Sequence, residues 1–482
     1  MPGDQSFIPE NKALKAAADT SVGLVVILLL LSVVFFKERM LFIDAPHNLF
    51  RIINDGHFHI EEHRYGSFIS QIFPLAGAQL HLPLQALMIL YSASFNLFFL
   101  GVALLLVYKF RNYGLAILFA LYLTLFASAT FYWPNNEVHQ GIGWLVLAFA
   151  FNSFMAEKKW PFLLSLPVFA ASFYLAIWTH PLVMLVAVYL WFFFWLGNVD
   201  WPYSKAQSFV CTVVLLSLAY FKFNEGMHHG YDSSKIEMIT HFDPRKITSV
   251  FSAPLLHYFA YKCVANYWMA VILFLAGIIG LIKERRFLLL ALALLFATGY
   301  LLLVCITFWD YPSTGFYIES EYMPLSVICC APFVYFLLPK LTITRGVAAL
   351  AFIFCIRLAY ILHAAPAFTN RVALLEKIND KMKEKKLAKI IIPLPVQGID
   401  SALILDWGAP AESMFLSGLK HQIPQRTFIF LSPDDMKAFN TASKDTLLGC
   451  WIKWPSDQLN SYYFQMDTNS NYRTISYTSL MQ

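Results

Sequence analysis

Leu24-Val25-Val26-Ile27-Leu28-Leu29-Leu30-Leu31-Ser32-Val33-Val34-Phe35-Phe36 is apolar at every position except Ser32. A membrane barrel strand alternates between its lipid and lumen faces, and this run does not alternate. It reads as a helix. Blocks of about 16–22 apolar residues recur along the chain, each long enough as a helix to cross a bilayer core of roughly 30 Å. Composition agrees, with 58% hydrophobic and 13% charged residues, where soluble domains carry about 25% charged. A water-soluble chain of 482 residues would divide into domains that each need a charged surface. The expected fold class is an all-α polytopic membrane protein.

Eleven spans are expected, at 20–36, 84–107, 114–131, 140–156, 161–178, 182–197, 207–222, 266–282, 287–308, 323–339 and 346–363. Lys109, Arg111, Lys158, Lys159, Lys205, Lys283, Arg285, Arg286, Lys340 and Arg345 fall in alternate connections. The short connections between them, 132–139, 179–181 and 309–322, hold no lysine or arginine. The positive-inside rule then puts the N-terminus in the cytoplasm and the C-terminal segment outside, and the expected location is a cell (inner) membrane. The first block lacks a small-residue cleavage site after Phe36, so it reads as a retained anchor rather than a signal peptide.

On this topology two domains are expected: a transmembrane domain over 1–365 and a small extracytoplasmic α/β domain over 366–482. In the tail a charged helix (371–389) precedes strand-like runs at 390–393, 402–405 and 427–431, with helical stretches at 411–419 and 433–439. The long outer loops, 37–83 and 223–265, show helical amphipathic spacing at 45–60 and 247–262, as in helices lying on a membrane surface. All thirteen histidines fall on the expected outer face, which concentrates polar chemistry there. Five of the seven cysteines lie in expected spans, so no disulfide framework is indicated. The net charge of +5 contains no basic block suited to nucleic acid.

The first outer loop carries Phe42-Ile43-Asp44-Ala45-Pro46-His47, then Asp55-Gly56, His63-Arg64-Tyr65-Gly66 and Phe73-Pro74 before the second span. This layout resembles the GT-C superfamily of membrane glycosyltransferases, which includes protein O-mannosyltransferases, aminoarabinose lipid A transferases and oligosaccharyltransferases. In that pattern an acidic residue lies just outside the first span, followed by amphipathic helices, a glycine turn, an arginine and a proline. The resemblance implies that Asp44 is the catalytic aspartate and Arg64 the loop arginine. It implies a second acidic residue at Glu137, in Trp133-Pro134-Asn135-Asn136-Glu137. It also implies a phosphate-binding cation near the outer end of a late span, where Arg357 stands, with Lys222 a further candidate. The metal-binding acid-x-acid motif of the oligosaccharyltransferase branch is missing, because Ala45 and Pro46 follow Asp44. No metal or other cofactor is therefore expected. The family's arginine-tyrosine pair before proline is replaced by Glu321-Tyr322-x-Pro324, which leaves the sugar open; Glu319 and Glu321 are candidate sugar contacts.

The residues themselves allow plainer readings. Asp44 before Ala-Pro suits the cap of the loop's first amphipathic helix, Glu137 suits a solvated loop, and Arg357 suits a side chain reaching for the interface. An arginine at membrane depth is costly and normally faces a polar partner. The cluster Asp55-Gly56-His57-Phe58-His59-Ile60-Glu61-Glu62-His63 holds side chains with the right chemistry for zinc. On the helix expected over this stretch, however, the His57 and His59 imidazoles would point about 200° apart, so no metal site is expected. His180-Pro181 reads as a turn.

The expected activity is transfer of a sugar from a polyprenyl-phosphate donor to a lipid, glycan or protein acceptor on the outer face, among membrane lipids. A base takes the acceptor hydroxyl proton while cations meet the leaving phosphate. The alternatives are a flippase or transporter of a lipid-linked saccharide, and an acyltransferase using His180. Transporters tend to show internal repeats and matched broken helices, which the sequence does not display.

Overall fold

The computed structural model describes residues 12–199, 201–228, 230–309, 315–396, 407–438, 444–449 and 453–482. Among these, eight helices are long and apolar enough to cross a membrane by length and composition. A ninth crossing is made if Pro254–Ala265 and Trp268–Lys283, bent by 86° at their junction, act as one span. The remaining two expected spans are the shorter apolar helices Tyr113–Thr124 and Leu182–Gly197. Gly315–Lys340 and Val138–Glu157 sit at the centre, with 78% and 72% of their apolar windows enclosed, against 22% for Lys205–His228. The outer helices expose Leu163, Phe209 and Leu295. Such surface is unfavourable in water and neutral against lipid tails.

Two ends of the bundle differ in character. At one, Lys340 pairs with Glu284, the Lys109 ammonium lies over Phe154 and Tyr108 donates to Asp19. These are the basic connections that the sequence assigns to one face. At the other end stand Asp44, Arg64, Glu137 and Asp232, together with the C-terminal residues from Trp407 onward that pack on them.

Tyr113–Thr124 stops well short of the expected 131, and its continuation is irregular until a 3-10 turn at Ala129–Tyr132. Non-helical backbone deep in a membrane protein must find internal hydrogen-bond partners. Arg357 donates to the carbonyls of Thr124 (2.9 Å), Ala127 (2.7 Å) and Asn266. Glu319 accepts from the amides of Ser128 and Thr130, both at 3.0 Å, and from the Ser128 hydroxyl. Both side chains are almost fully buried.

The expected surface helix over 45–60 ends early. Asp44–Asp55 is closed by Gly56 in the left-handed region at φ 69°, and the chain leaves it without further helix. The charged helix expected at 371–389 is the continuation of the last span. Ile343–Glu384 is one 42-residue helix, about 63 Å long at 1.5 Å per residue, and the expected boundary at 365 falls inside it. Beyond it, β1 (Lys389–Pro393) pairs in parallel with β2 (Thr427–Leu431) and with β5 (Arg473–Thr474). Antiparallel β3 (Thr446–Leu448) and β4 (Lys453–Pro455) form a separate ladder. The expected strand 402–405 lies outside the described residues. Period-two alternation sends Ile390, Ile392, Phe428 and Phe430 into a hydrophobic core continuous with the helices, and Ile391, Ile429 and Leu431 into a small second cluster.

Candidate functional site

The backbone before Asp44 is held in an unusual shape. Ile43, the residue that precedes the helix, has φ 49° and ψ −101°, a strained region for a β-branched side chain. The C-terminal segment fixes it. Glu412 accepts the Ile43 amide at 2.9 Å and is paired with Arg371 through both carboxylate oxygens at 2.8 Å, while Arg371 also donates to the Leu41 carbonyl. Arg371 and Glu412 are 2% and 0% exposed. Gly408 lies so close that an added Cβ would stand 2.6 Å from the Ile43 carbonyl oxygen.

This clamp sets Asp44 in the first turn, where its side chain caps nothing. One carboxylate oxygen accepts the Trp133 indole N–H and the other accepts that of Trp407, both at 2.8 Å. Burial pushes the carboxyl up to about 6, against the pull of the two indole bonds and with help from the neighbouring Glu137 and Glu61.

Glu137 immediately precedes the helix Val138–Glu157 and is partly buried. Arg64 donates one guanidinium nitrogen to it at 2.6 Å and another to Asp232 at 2.9 Å. The third nitrogen, Nε, is buried without an acceptor among the described residues. Burial raises the Glu137 carboxyl, and Arg64 opposes this without cancelling it. Burial pulls the Arg64 guanidinium down, but its two carboxylate partners outweigh this and keep it charged. A polar recess runs beside these groups, lined among others by Asn48, Glu61, Gln71, Asn135 and Glu137. In this conformation it has space for about one water molecule.

Asp44, Arg64 and Glu137 therefore share one neighbourhood. The other candidates do not join it as free ligands. Arg357, expected to meet a phosphate, instead donates from each of its three guanidinium nitrogens to a backbone carbonyl. Glu319, expected to contact a sugar, caps the turn at 128–130. Glu321 is buried and accepts from Asn136 at 3.1 Å, which ties it to the loop carrying Glu137. Lys222 is buried against Glu225 at 3.1 Å, and Glu225 also meets His63. His180 makes the expected turn, its Nδ1 accepting the Leu182 amide at 3.3 Å, and burial keeps its imidazole far below the ordinary range.

Sequence reasoning missed Asp232, Trp407, Arg371 and Glu412. Trp407 reaches Asp44 across 363 positions, a separation at which no spacing rule operates. It also missed that His47 faces His59 and Glu61, because the helix was drawn too long.

No family model, curated protein or solved structure matches this chain.

Proposed function

We propose that this chain is an inverting membrane glycosyltransferase of the GT-C type, with Asp44 as its base. The observation that carries the reading is the carboxylate itself. It is aimed by two indoles, desolvated to about 6, and set beside a second acid and an arginine at one end of a membrane bundle. A base poised near neutrality is suited to accept a hydroxyl proton. In the proposed step the acceptor hydroxyl oxygen attacks the anomeric carbon of a sugar held on a polyprenyl phosphate. The bond from that carbon to the phosphate oxygen breaks, the lipid phosphate leaves with the electron pair, and the proton passes to Asp44. Arg64, with its buried Nε, is the cation nearest Glu137.

On this reading the donor reaches the site from the lipid, and the acceptor is a lipid, glycan or protein on the non-cytoplasmic face. The transfer as written needs no cofactor. Trp407 makes the C-terminal portion part of the site in addition to any acceptor contact.

The test is turnover in proteoliposomes supplied with a panel of labelled polyprenyl-phosphate sugars and a membrane extract as acceptor source. Wild type is expected to move label off the carrier and Asp44→Asn to leave it there. Equal turnover by the variant sinks the proposal. Movement of intact carrier between leaflets without cleavage identifies a transporter instead.

A further inference from the structure

Gly56 closes the site helix one residue before the histidine-rich stretch, and the next residues run without helix back beside it. His59 thereby faces His47, whose ring lies 6.0 Å away, centroid to centroid. His59 Nε2 stands 2.8 Å from a Glu61 carboxylate oxygen. His47, His59 and Glu61 each bring one ligand atom to within 4.8 Å of the others. The loop is held in this shape by Gln71, whose amide clamps the His59 backbone from both sides, accepting its N–H and donating to its carbonyl, each at 2.7 Å.

We propose that His47, His59 and Glu61 bind one divalent transition-metal ion of the zinc class. Two imidazoles and a carboxylate are a ligand set that zinc takes in open sites, where a fourth position stays available to water or a ligand oxygen. Magnesium and calcium prefer all-oxygen surroundings, so the two imidazoles argue against them. The ligands come from two segments, the site helix and the following loop, and the ion ties them together. His59 and Glu61 also line the polar recess with Glu137. An ion there stands at its wall, where Arg64 is held between two carboxylates. That this charge serves an anionic headgroup rests on the transfer reading above; metal binding itself does not.

The experiment uses tag-free full-length protein in detergent, stripped with a chelator and re-equilibrated with zinc chloride or cobalt chloride. The wild type is expected to hold one zinc ion per chain at micromolar zinc and to give visible cobalt absorption of low coordination number. His47→Ala, His59→Ala and Glu61→Gln should each weaken binding by at least the roughly 10–100-fold that changes around metal ligands typically produce. His57→Ala, in the same loop but outside the trio, should bind as wild type does. Glu61 is 53% exposed on its side chain, so its replacement leaves packing intact and keeps the test valid if a histidine variant misfolds. Absence of zinc uptake by wild type, or unchanged affinity in Glu61→Gln, overturns the proposal. Asp44→Asn should keep the metal while losing transfer, so failure of either reading is visible separately.

Discussion

Asp44 was legible because its place just past the first apolar run, before Ala-Pro, is a pattern. What makes it a chemical group was not. Its oxygens are held by Trp133 from a short loop and Trp407 from the far end of the chain, and an indole N–H leaves no periodic trace in sequence. These contacts set the pH response. A base must be ionised to act, so transfer should rise with pH through about 6 and level off above it. Each indole bond stabilises the carboxylate, so removing one raises the carboxyl further. Trp407→Phe should move the acidic limb of the pH–kcat/KM profile upward by about one unit, as expected for loss of one hydrogen bond to a charged group. A limb that stays in place would show that Trp407 does not tune Asp44. Arg357 teaches the converse lesson. Its rarity in an apolar span announced a polar partner, but the partners are backbone carbonyls, which every residue carries and no sequence motif marks.

At the scale of elements, most helices were legible from their apolar blocks, and the errors fall where a helix stops early or, at Ile343–Glu384, runs on past its apolar block. Tyr113–Thr124 ends before its apolar run does, because Arg357 and Glu319 satisfy the freed backbone. This assigns Arg357 a structural role with a distinct signature. Arg357→Lys keeps the charge but loses the fork, leaving buried carbonyls short of donors at about 1–3 kcal/mol each. Thermal unfolding in detergent should therefore drop for lysine as well as for methionine; a phosphate-binding role would instead let lysine preserve both stability and part of the activity. The Arg371–Glu412 pair behaves differently. Glu412→Gln strands a buried guanidinium and should cost about 3–5 kcal/mol. The double change Arg371→Met with Glu412→Leu should recover much of that stability, since a matched apolar pair is tolerated. It cannot restore the bond to the Ile43 amide. A double variant that unfolds like wild type but transfers poorly would identify the pair as a positioning device for Asp44; full activity would reduce it to packing.

For the whole molecule, charge distribution carried more than any motif. The basic connections gather at one end of the bundle and the polar cluster at the other, which is the arrangement the alternating lysines and arginines imply. The shortest candidate crossings are the helices of 12 and 16 residues, about 18 and 24 Å long against a core of roughly 30 Å. Tyr113–Thr124 starts beside the Lys109 end, and its irregular continuation reaches Phe131, whose carbonyl accepts from Arg39 close to Asp44. The chain thus passes from one end to the other although the helix alone is too short, because the rest of the path is buried in protein rather than lipid. With the eleven crossings expected from the sequence, the two termini would lie on opposite faces. A reporter enzyme active only outside the cytoplasm, fused after Gln482, should therefore be active, and fusions truncated after Lys159 or Arg286 should be silent. A silent C-terminal fusion with active internal ones would invert the topology, put Trp407 and Asp44 on the cytoplasmic side, and deny the site any donor presented on the outer leaflet. Stability and metal content would be unaffected by that outcome, because the contacts that build the site are the same whichever face it occupies.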